Sequence, residues 1–297
     1  MRDGLVGSEM CIRDSISVLL PTRGRQEVLK NSITGLIEKA SNPSEVEILF
    51  GVDEDDQGVI EYIKNDLKPL FDKHKVEARA SVFKPLGYDN LHVYVNTLAG
   101  AATGEWLFFW NDDCIMESEG WDDVIKQYDG QFKLLGPKDN HNGHPYAILP
   151  IVPKDWFILM GHLSQNPQND AWLSHVAYML DIFERIDFSF IHDRADITGN
   201  NDDETFRNRK YMEGNPQDPK DFGHPDQQNA RVSTAHKIAW FLDRTGQGDL
   251  TWWNNVIAGK QDPFEKMVWE KGVQGAGQLA AIDQEEPELP DDTVISL

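Results

Sequence analysis

Asn111, Asp112 and Asp113 stand in a row directly after Trp106 to Trp110, five apolar residues without a break. Such a run suits a strand buried on both faces of a mostly parallel sheet, and in open α/β sheets ligands bind outside the carboxyl ends of the strands. The position therefore offers oxygen ligands where a substrate would sit, the chemistry that a divalent cation on a diphosphate requires. The same residues would also make a solvated turn with an Asx cap on the next segment.

Other candidates fall at similar places. Pro21, Thr22, Arg23 and Arg25 follow the first apolar run, where a nucleotide could lie, and Asp53 follows the second. An ionised Asp is an acceptor only, so Asp53 could take a hydrogen bond from a base N–H; it could equally cap a helix beside Glu54, Asp55 and Asp56. Asp170 opens a helical pattern, where the helix dipole keeps a carboxylate ionised and ready to take a proton, and N-capping is the alternative role. His192 closes a late apolar run, and a lone His is more often structural than a ligand. His141 and His144 lie in a loop with no further ligand nearby, which argues against zinc.

The elements that must position these groups follow from periodicity. Leu91, Tyr94, Val95, Leu98, Ala99 and Ala102 mark one face of a helix that Gly104 is expected to stop. ISVLLP, VEILFGVD and residues 76 to 83 read as strands. Leu29, Ile33, Leu36, Ile37 and Ala40 mark a first helix, and Ile60, Ile63, Leu67 and Phe71 a second. Trp172, Val176, Met179, Leu180 and Phe183 mark a later helix, followed by a strand ending at His192. Strands alternating with helices predict βαβ units: an α/β fold with a mostly parallel sheet and helices on both faces.

Fifty acidic against twenty-eight basic residues give a formal charge of −22. That excludes the usual basis of nucleic-acid affinity, phosphate neutralisation, and disfavours anionic membrane surfaces. No apolar run is long enough for a transmembrane span. Two cysteines, Cys11 and Cys114, point away from a disulfide framework and towards a reducing, cytoplasmic setting. Residues 1–15 show no structural pattern and read as a non-native or disordered leader. Residues 16–209 form the α/β domain, 210–282 a helical extension starting with a loop to residue 229 and continuing as two or three short helices, and 283–297 an acidic disordered tail. Neither G-x-G-x-x-G after the first strand nor G-x-x-x-x-G-K-[ST] occurs, which argues against dinucleotide-dependent dehydrogenases and P-loop enzymes.

Taken together, LLPTRGR, VEILFGVDEDD, the helix bearing Asn96, TGEWLFFWNDDC, the NDAW helix start and FIHDR resemble a glycosyltransferase of the GT-A fold, in the large family-2-like group, over about residues 16 to 209. The resemblance implies a nucleotide-diphospho-sugar transferase, with a UDP-sugar as the first donor to expect and a glycan or other hydroxyl as acceptor. It implies nucleotide binding by Pro21, Thr22, Arg23, Arg25, Asp53, Asn96 and Asp112. Mn²⁺ or Mg²⁺ would be held by Asp113 and His192, with Asp170 as the base of an inverting reaction. Two departures stand out: Asn111 replaces the first acid of the family's D-x-D motif, and Asn169 the acid that precedes the base. A non-catalytic nucleotide-sugar or glycan binding module on the same fold is the alternative. A nucleotidyltransferase would need a more Gly-rich first loop than PTRGRQ.

Overall fold

The computed structural model of the chain describes residues 15–140, 144–200, 207, 218–263 and 265. Cys11 and the leader up to residue 14, His141, and the tail 283–297 lie outside the described residues.

Four strands build one side of the sheet: β1 (Ile16–Pro21), β2 (Val46–Asp53), β3 (Glu77–Phe83) and β4 (Trp106–Phe109). They lie in the order β3-β2-β1-β4, all mutually parallel. Parallel neighbours need crossovers, and these are α1 (Gln26–Glu38), α2 (Gln57–Asn65), α3 (Lys68–His74) and α4 (Leu91–Ala101). The apolar pattern through Phe71 is thus two helices rather than one. Ile60, Ile63, Leu67 and Phe71 are all buried as the period requires, but Pro69 sits in the first turn of α3, where a missing N–H and a fixed φ favour a helix start over a helix interior.

Beyond β4 the sheet turns mixed. β5 (Cys114–Met116), β6 (Leu134–Asp139), β7 (Ile151–Pro153) and β8 (Phe183–His192) extend the order as β4-β7-β6-β8-β5. β7 runs antiparallel to both β4 and β6, and β6 is parallel to β8. Two reversals restore direction, so β8 runs with β4. The carboxyl ends of β1, β2, β4 and β8 therefore share one edge.

α5 (Trp121–Lys126), α6 (Lys154–Met160) and α7 (Asn169–Leu180) complete this half. α7 ends at Leu180 with Asp181 in the left-handed region, φ 57°, so Phe183 starts β8 instead of closing the helix face. After the short α8 (Ala195–Thr198), the described part of the extension forms α9 (Pro225–Thr245) and α10 (Thr251–Ile257). Of the two or three short helices expected, the described residues hold two, but α9 is long, 21 residues, and it starts inside the stretch read as loop. Its polar first turns hid it; Pro225 at the first position and the His224 side chain accepting from Asp226 N mark the start. Val232, Ala235, Ile238 and Leu242 of α9 join the apolar cluster of α7, α4 and β4.

Gly104 plays a different part from helix stop. α4 ends at Ala101, and a Cβ on Gly104 would lie 2.7 Å from both the Ser15 carbonyl oxygen and Ser17 Oγ. Its N–H donates to Ser17 Oγ at 2.8 Å. The glycine is required by close approach of chains at the start of β4.

Candidate active site

The shared sheet edge opens into a cavity of about 880 Å³. Pro21, Thr22, Arg23, Arg25, Asp53, Asp112, Asp113, Asp170 and His192 all line it, as does Asn111. Residues from five separate stretches of sequence meet there because the topology brings their strand ends and one helix start together.

Asp113 and His192 come together through strand register. β5 pairs antiparallel with β8, Cys114 opposite His192, and Asp193 N donates to the Asp113 carbonyl oxygen at 2.8 Å. His192 Nε2 then lies 3.3 Å from Asp113 Oδ1. Cys114 Sγ is 4.0 Å from the same oxygen. Burial, with Asp113 and Asp112 close by, raises the Cys114 thiol well above its ordinary value, which keeps it protonated and a poor ligand. An imidazole and a hard carboxylate oxygen, side by side and buried, remain as the donor pair that fits a divalent cation.

Asp112 points the other way. Thr22 Oγ1 donates to its Oδ2 at 2.7 Å, and the Arg25 guanidinium bonds both its oxygens. Arg25 Nη1 also reaches Asp113 Oδ2 at 3.4 Å. Burial pushes Asp112 above the usual carboxylate range, against the pull of Arg25, and the neighbouring Asp113 adds to the rise. For Asp113, burial is outweighed by His192 and Arg25, which hold it below that range.

Asp53, also on the cavity lining, is fixed by two donors: Tyr94 through its hydroxyl, and Arg23 Nη1 at 2.8 Å. Burial and the Asp53 contact push the Tyr94 hydroxyl up to about 12. Asp53 is not a helix cap: that role belongs to Asp56, whose side chain accepts from Val59 N. Gly87, Tyr88 and Leu91 add an apolar wall beside it.

Asp170 sits in the first turn of α7, half-buried, and the cap position itself is Gln168. Tyr146 lines the wall next to it, its hydroxyl 3.4 Å from His175 Nε2. Burial and the nearby Asp170 raise Tyr146. Asn169 is buried and donates through Nδ2 to the Pro167 carbonyl at 3.1 Å.

Asn96 is the one expected site residue that the fold places elsewhere. Its Oδ1 accepts from Leu163 N at 2.7 Å and its Nδ2 donates to the Ser164 carbonyl at 2.7 Å, so the amide ties α4 to the loop before α7 and does not line the cavity. A polar residue on a helix face gives no sequence sign of which loop it will meet. Tyr94 and Tyr146 were missed in the opposite direction. Tyr94 fits the apolar period of α4, and only its hydroxyl, at the helix end nearest the sheet edge, could have marked it.

No protein-family model matches the chain, and no curated protein matches it. Among solved structures, the chain is similar to the mannosyltransferase PcManGT from Pyrobaculum calidifontis, solved in complex with GDP-Man and Mn²⁺. The TM-score is 0.53 with 12% identity, over 83% of this chain and 79% of that one. The likeness shows the fold, which is the GT-A-like glycosyltransferase fold. S. aureus TarS gives a TM-score of 0.46 and 14% identity over 81% of this chain and 54% of its own, too loose a match to carry an argument.

Proposed function

We propose that the chain is a metal-dependent glycosyltransferase that moves a sugar from a nucleoside diphosphate donor to an acceptor hydroxyl, with inversion. The observation that carries this reading is the convergence of Asp113 and His192 at one point of a cavity that Asp53 and Asp170 also line. A site for binding alone would not need a further half-buried carboxylate, Asp170, on the cavity lining.

In this reading Asp53, held by Tyr94 and Arg23, accepts from the base, and Arg25 and Thr22 face the diphosphate. Asp113 and His192 would hold Mn²⁺ or Mg²⁺, which supplies charge neutralisation for the departing diphosphate. Asp170 accepts the proton of the attacking hydroxyl, and the dipole of α7 keeps it ionised until then. Attack from the Asp170 wall, opposite the leaving group, inverts the anomeric carbon. Walls formed by Tyr146, Pro167 and Phe109 limit access of water, which would compete with the acceptor.

A UDP-sugar is the first donor to test, and GDP-mannose the second, because the fold's likeness is to a protein solved with that ligand. We assign the protein to the cytoplasm; among the described residues no helix is long and apolar enough to cross a membrane. The test is to incubate the purified chain with a panel of UDP- and GDP-sugars, with and without MnCl₂, following free nucleoside diphosphate. Metal-dependent release from one donor supports the transferase. Donor-induced thermal stabilisation without release at any acceptor concentration would mean a binding module.

A further inference from the structure

We infer that Arg25, paired with Asp112 and Asp113, closes the cation site, so that the divalent cation enters only together with a diphosphate that draws the guanidinium away. The inference rests on the metal-dependent reading above and adds an order of events to it.

Each carboxylate oxygen of the Asp112–Asp113 pair already faces a protein donor. Arg25 Nη2 bonds Asp112 Oδ1; Thr22 Oγ1 and Arg25 Nε, at 2.7 and 3.3 Å, bond Oδ2. His192 Nε2 lies 3.3 Å from Asp113 Oδ1, and Arg25 Nη1 lies 3.4 Å from Oδ2. Arg25 is the member of this set that carries a permanent positive charge, and its planar fork spans both carboxylates as no ammonium could. Its side chain is only 14% exposed, so the pairing is poorly screened by solvent. A dication approaching Asp113 would meet a guanidinium on the same carboxylate in a low-dielectric site, where like charges repel strongly.

A diphosphate reverses that balance. It offers Arg25 bidentate oxygen acceptors of the kind guanidinium favours, and it brings negative charge to the cation. Only the side chain must turn, because the Arg25 backbone is fixed at the start of α1, its carbonyl accepting from Leu29 N at 2.8 Å. By linkage, nucleotide and cation must then each raise the other's affinity by the same factor.

The test is a Mn²⁺ titration followed by electron paramagnetic resonance of the free ion, with MnCl₂ alone and with MnCl₂ plus UDP or GDP. For the unmodified chain we expect weak binding of Mn²⁺ alone, tightened about tenfold or more by the nucleotide that binds. Arg25→Ala should bind Mn²⁺ alone about tenfold or more tighter than the unmodified chain, since it loses the competing charge. Arg25→Lys keeps the charge without the fork and should fall between. Arg23→Ala, an equal loss of charge on the same loop but paired with Asp53 and Asp55, should leave the Mn²⁺ affinity within about twofold, the scale of a screened surface charge. Equal Mn²⁺ affinity with and without nucleotide, or no gain in Arg25→Ala while Asp113→Ala still abolishes binding, overturns the gate and leaves the metal site standing. If Asp113→Ala also changes nothing, the metal assignment falls and the gate with it. Far-ultraviolet circular dichroism of each variant checks that it is folded.

Discussion

His192 Nε2 lies 3.3 Å from Asp113 Oδ1, both side chains almost fully buried. The pairing follows from the antiparallel register of β5 and β8, which sets His192 opposite Cys114. Neither residue fills the apolar core, so removing either should spare the fold. For Asp113→Ala and His192→Ala we expect loss of the Mn²⁺-dependent part of donor-induced thermal stabilisation. A variant that keeps the full Mn²⁺-dependent shift would remove its residue from the metal set.

Tyr94 and Asp53 give a second, separable test. The Tyr94 hydroxyl is one of two groups that fix the Asp53 carboxylate, and Leu86 N donates to the same hydroxyl at 3.0 Å. Tyr94→Phe keeps the ring packed against Phe83, centroids 4.6 Å apart, and removes only the oxygen. We expect weaker nucleotide affinity with kcat almost unchanged, at a stability cost of about 1–3 kcal/mol for the donor left unpaired. Calorimetric titration with UDP and GDP reads the first effect; unchanged affinity for both would take Asp53 out of base recognition.

The legibility of this chain in its sequence divides by physical cause. Buried parallel strands announce themselves as unbroken apolar runs, and their carboxyl ends mark a site, so Asp53 and the Asn111 to Asp113 row could be placed before any coordinates. Asp170 and His192 were placeable as element ends, but the meeting of His192 with Asp113 depends on the β5–β8 register, and the presence of Asp170 in the same cavity depends on how α7 packs, both long-range. Arg25 illustrates the limit: its position after β1 suggests a phosphate, whereas its grip on Asp112 and Asp113 is a tertiary fact. Asn96 erred for the same reason, its partners Leu163 and Ser164 lying far along the chain.

Gly104 tests the close packing beneath the sheet. An added Cβ would meet Ser15 O, Ser17 Oγ and Ser17 N at 2.7, 2.7 and 2.8 Å, and two of these are backbone atoms that cannot turn aside. Gly104→Ala should cost about 1–3 kcal/mol, the usual penalty for overpacking, visible as a lower Tm. An unchanged Tm would mean that Gly104 had only to end α4, as its place in the sequence suggests.

Two histidines, His162 half-buried and His175 buried, set a pH dependence. Burial, with a smaller push from Lys237, lowers His162 to about 4; burial and Arg231 hold His175 well below its ordinary value. Both stay neutral in the fold, while in the unfolded chain each titrates near its ordinary value of about 6.5. Below that pH the unfolded chain binds protons that the fold refuses, so this contribution is complete above about 6.5 and is lost as the pH falls towards 4. The slope is about 1.4 kcal/mol per pH unit for each such group. Tm measured from pH 7 to 4.5 should therefore fall, and fall less steeply in His162→Gln. Equal slopes would mean that His162 accepts a proton in the fold.

Asp170 separates catalysis from structure most sharply. It lies in the first turn of α7 on the cavity wall, and the cap position is Gln168, so the helix does not need Asp170 as its cap. Its charge near the positive end of the helix dipole contributes about 0.3–1 kcal/mol. Asp170→Asn keeps size and shape, gives up that charge, and cannot take a proton from an acceptor hydroxyl. A base acts in the transition state and not on the donor, so the variant should lose kcat and kcat/KM together while donor affinity stays put. Loss of a general base costs about 10²- to 10⁴-fold in rate. Asp170→Ala should match it in rate, since neither side chain is a base, and should differ only in local packing. Steady-state transfer, donor titration and thermal melting of the two variants give the three quantities. Turnover within a few-fold of the unmodified chain in Asp170→Asn would mean that the proton leaves by another route, and Tyr146, beside Asp170 and in contact with His175, would be the next residue to substitute.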